Sequence, residues 1–486
     1  ASFTAGYTDG AVFIASQQNS FPNMMAKEFA KVGGGAFTQP LMSDNYGGLA
    51  VGGTRIANPR LVFGGAGPVS LESLIGPVTV GTDIALNNPT GPFNNLGVPG
   101  AKSFHLLANG YGNIQNFPAA ANPYAVRLTG STPNASILEL AMAQSPTFFS
   151  LSEIGGNDVL GYATSGGDGT NPMTDTATFD FAFGTLVTTL TSGGAKGVVT
   201  NVPYITDLPH FTTVPHAPLD PSNPSFGPLI PTLNTLFGAL NQVFTVLQRP
   251  DRYMQFSETS ASAVVIKDET LDDLSTQITA VLNANPDFPA FLSQFGVPAT
   301  AAPSVAYLLG IMYGQARKAK SSDLLVLPSS TVIGTVNQNF SAFLQSQNLS
   351  AAVADQFAVE GVTLPLEDKW VLIPSEQAEI KAATDAYNAT ISSVAASKGL
   401  AFVDLKAILT EATTTGYKTG DFTLSTNLVM GGLVSLDGIH LTARGYALMA
   451  NEFLRAIDAT YGSNFEASGN FADAGSYPTN YSPLLP

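Results

Sequence analysis

Apolar residues recur at helical spacing in several stretches of the chain and in short unbroken runs in others. Thr147-Phe148-Phe149-Ser150-Leu151 has the length and composition of a buried strand. Beyond it, Phe179, Phe183, Leu186, Val187 and Leu190 share one helical face, and Gly193-Gly194 ends that pattern. Gly197 to Val202 is a second buried-strand run, stopped by Pro203. Strand, helix, strand in this order predicts a parallel sheet with helical crossovers. Toward the C-terminus, Ser375 to Lys398 predicts the longest helix. Ser375 is its expected N-cap, Ile380, Tyr387, Ile391 and Val394 form its apolar face, and Gly399 stands at its end. Leu400 to Asp404 predicts the last strand, Lys418 to Asp421 a hairpin, and Thr442 to Ala459 a final helix.

Between these blocks the pattern changes. The first 30 residues predict a loop and then a helix, with Ser20 as N-cap, Pro22 in the first turn, and Met24, Met25 and Phe29 on the apolar face. Residues 31–94 are rich in Gly, Pro and Asn with short β-like runs such as Arg60 to Phe63, and predict an insertion of loops and hairpins. From 207 to 320 the alternation breaks down: Pro is dense from 209 to 231, and helical patterns follow at 233–247, 271–282 and 290–295. This stretch predicts a helical cap or lid inserted into the main domain, after which Leu324 to Leu327 returns to the sheet. A Pro- and Tyr-rich tail fills 463–486. The expected class is α/β, with 1–486 as a single domain that carries both insertions.

Composition narrows the function. The net charge is -16 and charged residues are only 12% of the 486, which disfavours nucleic acid or an anionic membrane surface as a partner. There is no cysteine, so disulfides, thiolate nucleophiles and Cys-based zinc sites are excluded. No run reaches the roughly 18 apolar residues of a membrane span. The first residues fall inside a motif described below, so further chain upstream, with any targeting segment, is expected.

The chain holds four histidines: His105, His210, His216 and His440. Asp437-Gly438-Ile439-His440 places a carboxylate three residues before an imidazole, on one short loop ahead of a helix. Such a carboxylate fixes the tautomer that accepts a proton from a nucleophile. Three other segments fall where the carboxyl ends of a parallel sheet would gather them: Ser2 to Gly6, Asn95 to Gly100, and Gly155 to Asp158. Together the four segments contain a hydroxyl nucleophile, a base, a group to orient it, and donors for an oxyanion. Taken singly, Gly100 after Pro99 is also an ordinary turn glycine, and Asn157 an ordinary strand-ending residue. His210 and His216 lie in the Pro-rich loop without a third metal ligand and are expected at the surface or a pocket rim, and His105 as a partly buried structural residue. Asp168, Asp175 and Asp180 match no calcium-loop spacing.

In order and spacing the four segments resemble the SGNH, or GDSL-type, hydrolase family. The resemblance covers residues 2–31, 95–206 and 375–460. The runs Gly6 to Gly10 and Gln18 to Asn23 look like a lipase-like branch common among outer-surface lipoproteins of Bacteroidetes. The family usually has Asp before the serine; here that position is Ala1. The resemblance implies a three-layer sandwich around a central parallel sheet, and an ester hydrolase that needs no cofactor or metal. Ser2 would be the nucleophile, His440 the base and Asp437 its orienting carboxylate. The oxyanion hole would be the N–H groups of Ser2 and Gly100 and the side-chain amide of Asn157. It also implies export, a lipid anchor upstream, and a small-molecule or lipid ester as substrate. Two further expectations use the same fold: an idle surface subunit of an outer-membrane complex, and a carbohydrate deacetylase.

Overall fold

The computed structural model describes residues 1–485. The fold is mixed α/β, with one small parallel sheet and several two-stranded antiparallel ones among many helices. Contacts divide the chain into two compact units. The first comprises Ala1–Gly161, Pro172–His210 and Glu379–Pro486, and the second Tyr162–Asn171 and Phe211–Ala378. The expected 207–320 insertion falls almost wholly within the second unit, which runs on to Ala378.

The helices used below are, in chain order, α1 (Ser2–Ala5), α2 (Phe21–Ala30), α3 (Gly156–Thr164), α4 (Thr176–Leu190), α5 (Pro374–Lys398), α6 (Leu405–Thr414) and α7 (Ala443–Tyr461). The strands of the parallel sheet are β1 (Phe148–Leu151), β2 (Lys196–Thr200) and β3 (Ala401–Val403), in the order β3-β2-β1. Ala401 pairs with Val198, and Phe148 with Lys196, so all three strands run the same way. Between β1 and β2 the chain forms α3 and α4, the strand–helix–strand unit that the alternation predicts. Phe21, Met24 and Met25 of α2 and Tyr446, Met449, Phe453 and Leu454 of α7 pack with Val198, Ala401 and Val403 into one buried cluster. Tyr387 of α5 stacks on Phe179 of α4 at 4.2 Å. Asn388 of α5 both accepts from the Val202 N–H and donates to its carbonyl, which fixes the chain leaving β2.

Local details differ from the pattern. Residues 2–5 form a helical turn rather than a loop, and a second short helix spans Ile14–Gln18. Ser375 is not an N-cap, because the helix already begins at Pro374. Proline suits a first helical position, where its missing N–H is not needed. Ser20 does precede α2, but its hydroxyl donates to Gln39 instead of capping. Within 31–94 two hairpins form, Leu49–Val51 with Thr54–Ala57 and Leu61–Phe63 with Pro68–Ser70. The expected hairpin near 418–421 pairs Tyr417–Thr419 with Phe422–Leu424. The final segment packs back on the first unit: Tyr481 is buried edge-on against Phe13, and the Arg60 guanidinium donates to the Ser482 carbonyl.

The second unit has its own apolar core, built by helices such as Ile230–Val246, Ser275–Ala284 and Ala302–Tyr313. Leu324–Leu325 does not rejoin the parallel sheet. It pairs antiparallel with Val371–Leu372, a two-residue ladder too short for any sequence pattern to announce its direction. Arg317 lies buried between Asp268 and Asp323, at 2.5 and 2.6 Å.

Candidate functional site

The Asp437–His440 loop is the most tightly bonded part of the site. Its ends close on each other, with the Ser435 N–H donating to the His440 carbonyl at 2.7 Å. One Asp437 oxygen, Oδ1, accepts from the Ile439 and His440 N–H groups at 2.9 and 2.8 Å and from the Ser435 hydroxyl at 3.1 Å. The other, Oδ2, faces His440 Nδ1 at 2.8 Å and accepts from the Gly10 N–H at 3.0 Å. Burial alone would raise this carboxyl's pKa. The His440 charge and the N–H donors outweigh it and hold Asp437 below the usual carboxylate range. An ionised Asp437 on Nδ1 assigns the proton to that nitrogen and leaves the Nε2 lone pair to accept one. The ring is held by aromatic neighbours, with Tyr7 at 4.4 Å between centroids and Phe3 edge-on at 5.8 Å.

The segment after α1 clamps this loop. The Thr8 hydroxyl donates to the Leu441 carbonyl, the Asp9 N–H to the Ser435 hydroxyl, and the Leu436 N–H to Asp9 Oδ1. From α7, the Tyr446 hydroxyl donates to the Tyr7 carbonyl at 2.6 Å. Asp9 is buried beside Asp437, and burial pushes its carboxyl up to about 7. No spacing rule marks Asp9, Ser435 or Tyr446. Their roles arise from contacts more than 400 positions apart, which a pattern read along the chain does not contain.

Ser2 heads α1 and is 7% exposed. Its turn is anchored where Asn95 donates to the Thr4 carbonyl at 2.7 Å and where the Thr4 and Ser152 hydroxyls meet at 3.1 Å. The chain at Gly97 passes so close to α1 that a Cβ there would lie 2.4 Å from the Ala5 nitrogen, which explains the glycine. Val98-Pro99-Gly100-Ala101 is a turn closed by the Ala101 N–H on the Val98 carbonyl. Pro99 supplies its fixed φ, and Gly100 takes φ +76°. Asn157, in the first turn of α3, donates to the Ala101 carbonyl at 2.9 Å.

Ser2, Asn157 and His440 line one cavity of about 90 Å³, with Asp437 behind the histidine. The cavity also takes residues that follow the ends of β1 (Gly156), β2 (Val202, Pro203) and β3 (Leu405), the place where open α/β sheets put their sites. Gly100 is exposed on the adjoining turn and is not part of the cavity wall. Among the described residues there is no Ser2–His440 hydrogen bond. Such bonds are often long without substrate and tighten with it. A larger cavity, of about 460 Å³, runs along the outer edge of β1 and is lined by residues 147–152 with Phe29 and Leu190, without Ser2 or His440.

Glu153 is a further polar residue of the cavity. It is 8% exposed, has φ +37°, and neither carboxylate oxygen makes a hydrogen bond of normal geometry. Burial pushes its carboxyl pKa up. A single Glu between a strand and a Gly-Gly pair carries no signal that separates it from a surface turn residue.

His210 is not a surface residue. It is buried against the Asp437 loop, its N–H donating to the Gly438 carbonyl at 3.0 Å, and burial lowers its pKa. His105 is half-buried and stacks on Tyr111 at 4.6 Å. Asp175 caps α4, and Asp168 closes a turn onto Thr170. Among the described residues, the ligand-type side chains that converge are Glu269, Asp368 and Glu376 of the second unit, and none of the aspartates or histidines singled out above belongs to that group. No family model matches the chain, and neither a curated protein nor a solved structure matches it.

Proposed function

We propose that this protein is a serine-dependent ester hydrolase of the SGNH type, with its first unit as the three-layer sandwich of that family. The observation that carries the reading is the Asp437–His440 pair, held by a set of donors that keeps Asp437 ionised, on a cavity that Ser2 and Asn157 also line. Ser2 Oγ attacks the ester carbonyl carbon while His440 Nε2 takes its proton. The oxyanion is met by the Ser2 N–H and by the second hydrogen of the Asn157 amide, whose first is bound to Ala101, while Gly100, outside the cavity wall, would have to be brought in by closure of its turn on the substrate. The tetrahedral species collapses, His440 returns the proton to the leaving alcohol, and an acyl-Ser2 ester remains. Water, deprotonated by His440, then releases the acid. The residues named suffice for each step without a cofactor or metal. The same reading assigns the chain to the exported proteins, as an outer-membrane surface lipoprotein or an extracellular enzyme.

The test is labelling of the folded protein with a fluorophosphonate probe, followed by peptide mapping. Label on Ser2 that disappears in His440→Ala supports the mechanism. Label that persists in His440→Ala sinks it. A second reading is a catalytically idle surface subunit of an outer-membrane complex, motivated by the Gly- and Pro-rich insertions and by Ala1 at the position where the family usually has Asp. A folded protein that takes no label and co-purifies with a membrane complex would establish that alternative. Carbohydrate deacetylation uses the same residues and is separated from other ester hydrolysis by substrate profiling.

A further inference from the structure

The polar side chains lining the Ser2–His440 cavity are Ser2, Glu153, Asn157 and His440; every other lining side chain is apolar. Much of the apolar wall comes from three places in the fold. The chain leaving β2 gives Val202, Ile205 and Leu208, α6 gives Leu409, and α7 gives Leu448 and Met449. All six are buried, none more than 7% exposed. These six belong to the packed interior and resist expansion on that side, while Phe3, Ile408 and Leu441 of the same lining are half-buried.

We propose that this apolar wall is an acyl pocket selecting short acyl groups, with Leu409 and Met449 among the buried side chains that bound it. The inference rests on the ester-hydrolase reading of the same site and names its substrate class. The wall offers no hydroxyl, amide or charge apart from the four site residues, so it suits the hydrocarbon part of an ester and not a sugar or phosphate. Size sets the chain length. An apolar cavity of roughly 150 Å³ accepts benzene, whereas this one measures about 90 Å³. It holds a chain of about two to four carbons behind the carbonyl. A longer chain must displace side chains of α6 and α7 or leave its end in water, and either costs selectivity. Pocket discrimination of this kind is worth roughly 10- to 200-fold.

The experiment compares p-nitrophenyl butyrate with p-nitrophenyl octanoate on the full chain. The expected result is a kcat/KM at least about tenfold higher for butyrate, with the ratio moving toward octanoate in Leu409→Ala and Met449→Ala. A wild-type preference for octanoate, or no preference, overturns the proposal whether or not those variants fold. Calorimetric binding of the same two esters to Ser2→Ala separates this inference from the reading it rests on. Preferential binding of the butyrate ester by Ser2→Ala, where the wild-type chain hydrolyses neither ester, keeps the pocket and removes the catalytic reading. Binding of neither ester, with turnover of neither, overturns both.

Discussion

Two carboxylates linked through Ser435 are driven in opposite directions. Asp437 is held ionised by His440 and by N–H donors, while Asp9, more deeply buried, is pushed up to about 7 by burial and by the charge of Asp437. A carboxyl raised in the folded state stabilises it fully only below its ordinary value of 3.8, and that contribution is lost as pH rises through about 7. Asp437 acts with the opposite sign: its contribution is present above 3.8 and lost as pH falls toward its depressed value. Asp9→Asn keeps an oxygen for the Leu436 N–H and removes the titration. The variant should therefore gain stability relative to wild type from about pH 5 to about pH 8.5, by an amount on the order of a few kcal/mol. Urea midpoints at the two pH values check it, and a pH-independent difference would show that Asp9 is not the titrating group. Asp437→Asn leaves His440 without its anionic partner, so fluorophosphonate labelling of Ser2 should slow by roughly 10³-fold or more. An unchanged labelling rate would remove Asp437 from the mechanism. The contrast between these residues also shows how far the chain could be read. Asp437 and His440 were legible because both lie on one four-residue loop. Asp9 was not, because what makes it unusual is a partner 427 positions away.

Helices α2, α4, α5 and α7 and all three parallel strands were legible as elements, since each carries several apolar side chains at one period. Shorter elements were not. The four residues of α1 contain too few positions to show a period, and their helicity depends on tertiary anchors at Asn95 and Ser152. The start of α7 bears directly on the site, because it follows His440 by three residues. Thr442 caps it by accepting from the Gly445 N–H at 2.9 Å and also donates to the Gly432 carbonyl at 2.6 Å. Thr442→Ala should cost about 1–2 kcal/mol in denaturant unfolding, and a loss within about 0.3 kcal/mol would mean that the cap is not used. Gly97 tests the other wall of the site. Its approach to the Ala5 nitrogen leaves no room for a methyl group, and the obstacle is backbone. Gly97→Ala should therefore shift α1 or the 95–100 chain at a cost of roughly 1–3 kcal/mol, with loss of Ser2 labelling before loss of fold. Full labelling in a stable Gly97→Ala protein would show that α1 need not hold its place.

At the scale of the molecule, each of the two compact units has a large apolar core of its own. The first gathers Phe21, Val198, Ala401, Tyr446 and Phe453 around the parallel sheet. The second draws its buried members from Val214 to Ile373, with Phe244 and Ile278 among the fully buried ones. The near edge of that second unit was legible where the strand–helix alternation gives way to dense proline. The far edge was not, because Leu324 to Leu327 imitates a returning strand while its partner, Val371–Leu372, lies far along the chain. Separate cores have a thermodynamic consequence, since a chain with two such units need not unfold in one step. Truncating a fully buried Phe to Ala costs about 3–5 kcal/mol in the core that loses it. Phe244→Ala removes that amount from the second core alone, and Phe453→Ala from the first. In calorimetry, two transitions are expected, with Phe244→Ala lowering one midpoint and Phe453→Ala the other. Fluorophosphonate labelling during heating assigns them, because label on Ser2 should disappear with the transition that Phe453→Ala shifts. Should both variants lower one shared transition by the same amount, the two cores are a single cooperative unit and the site's stability depends on both.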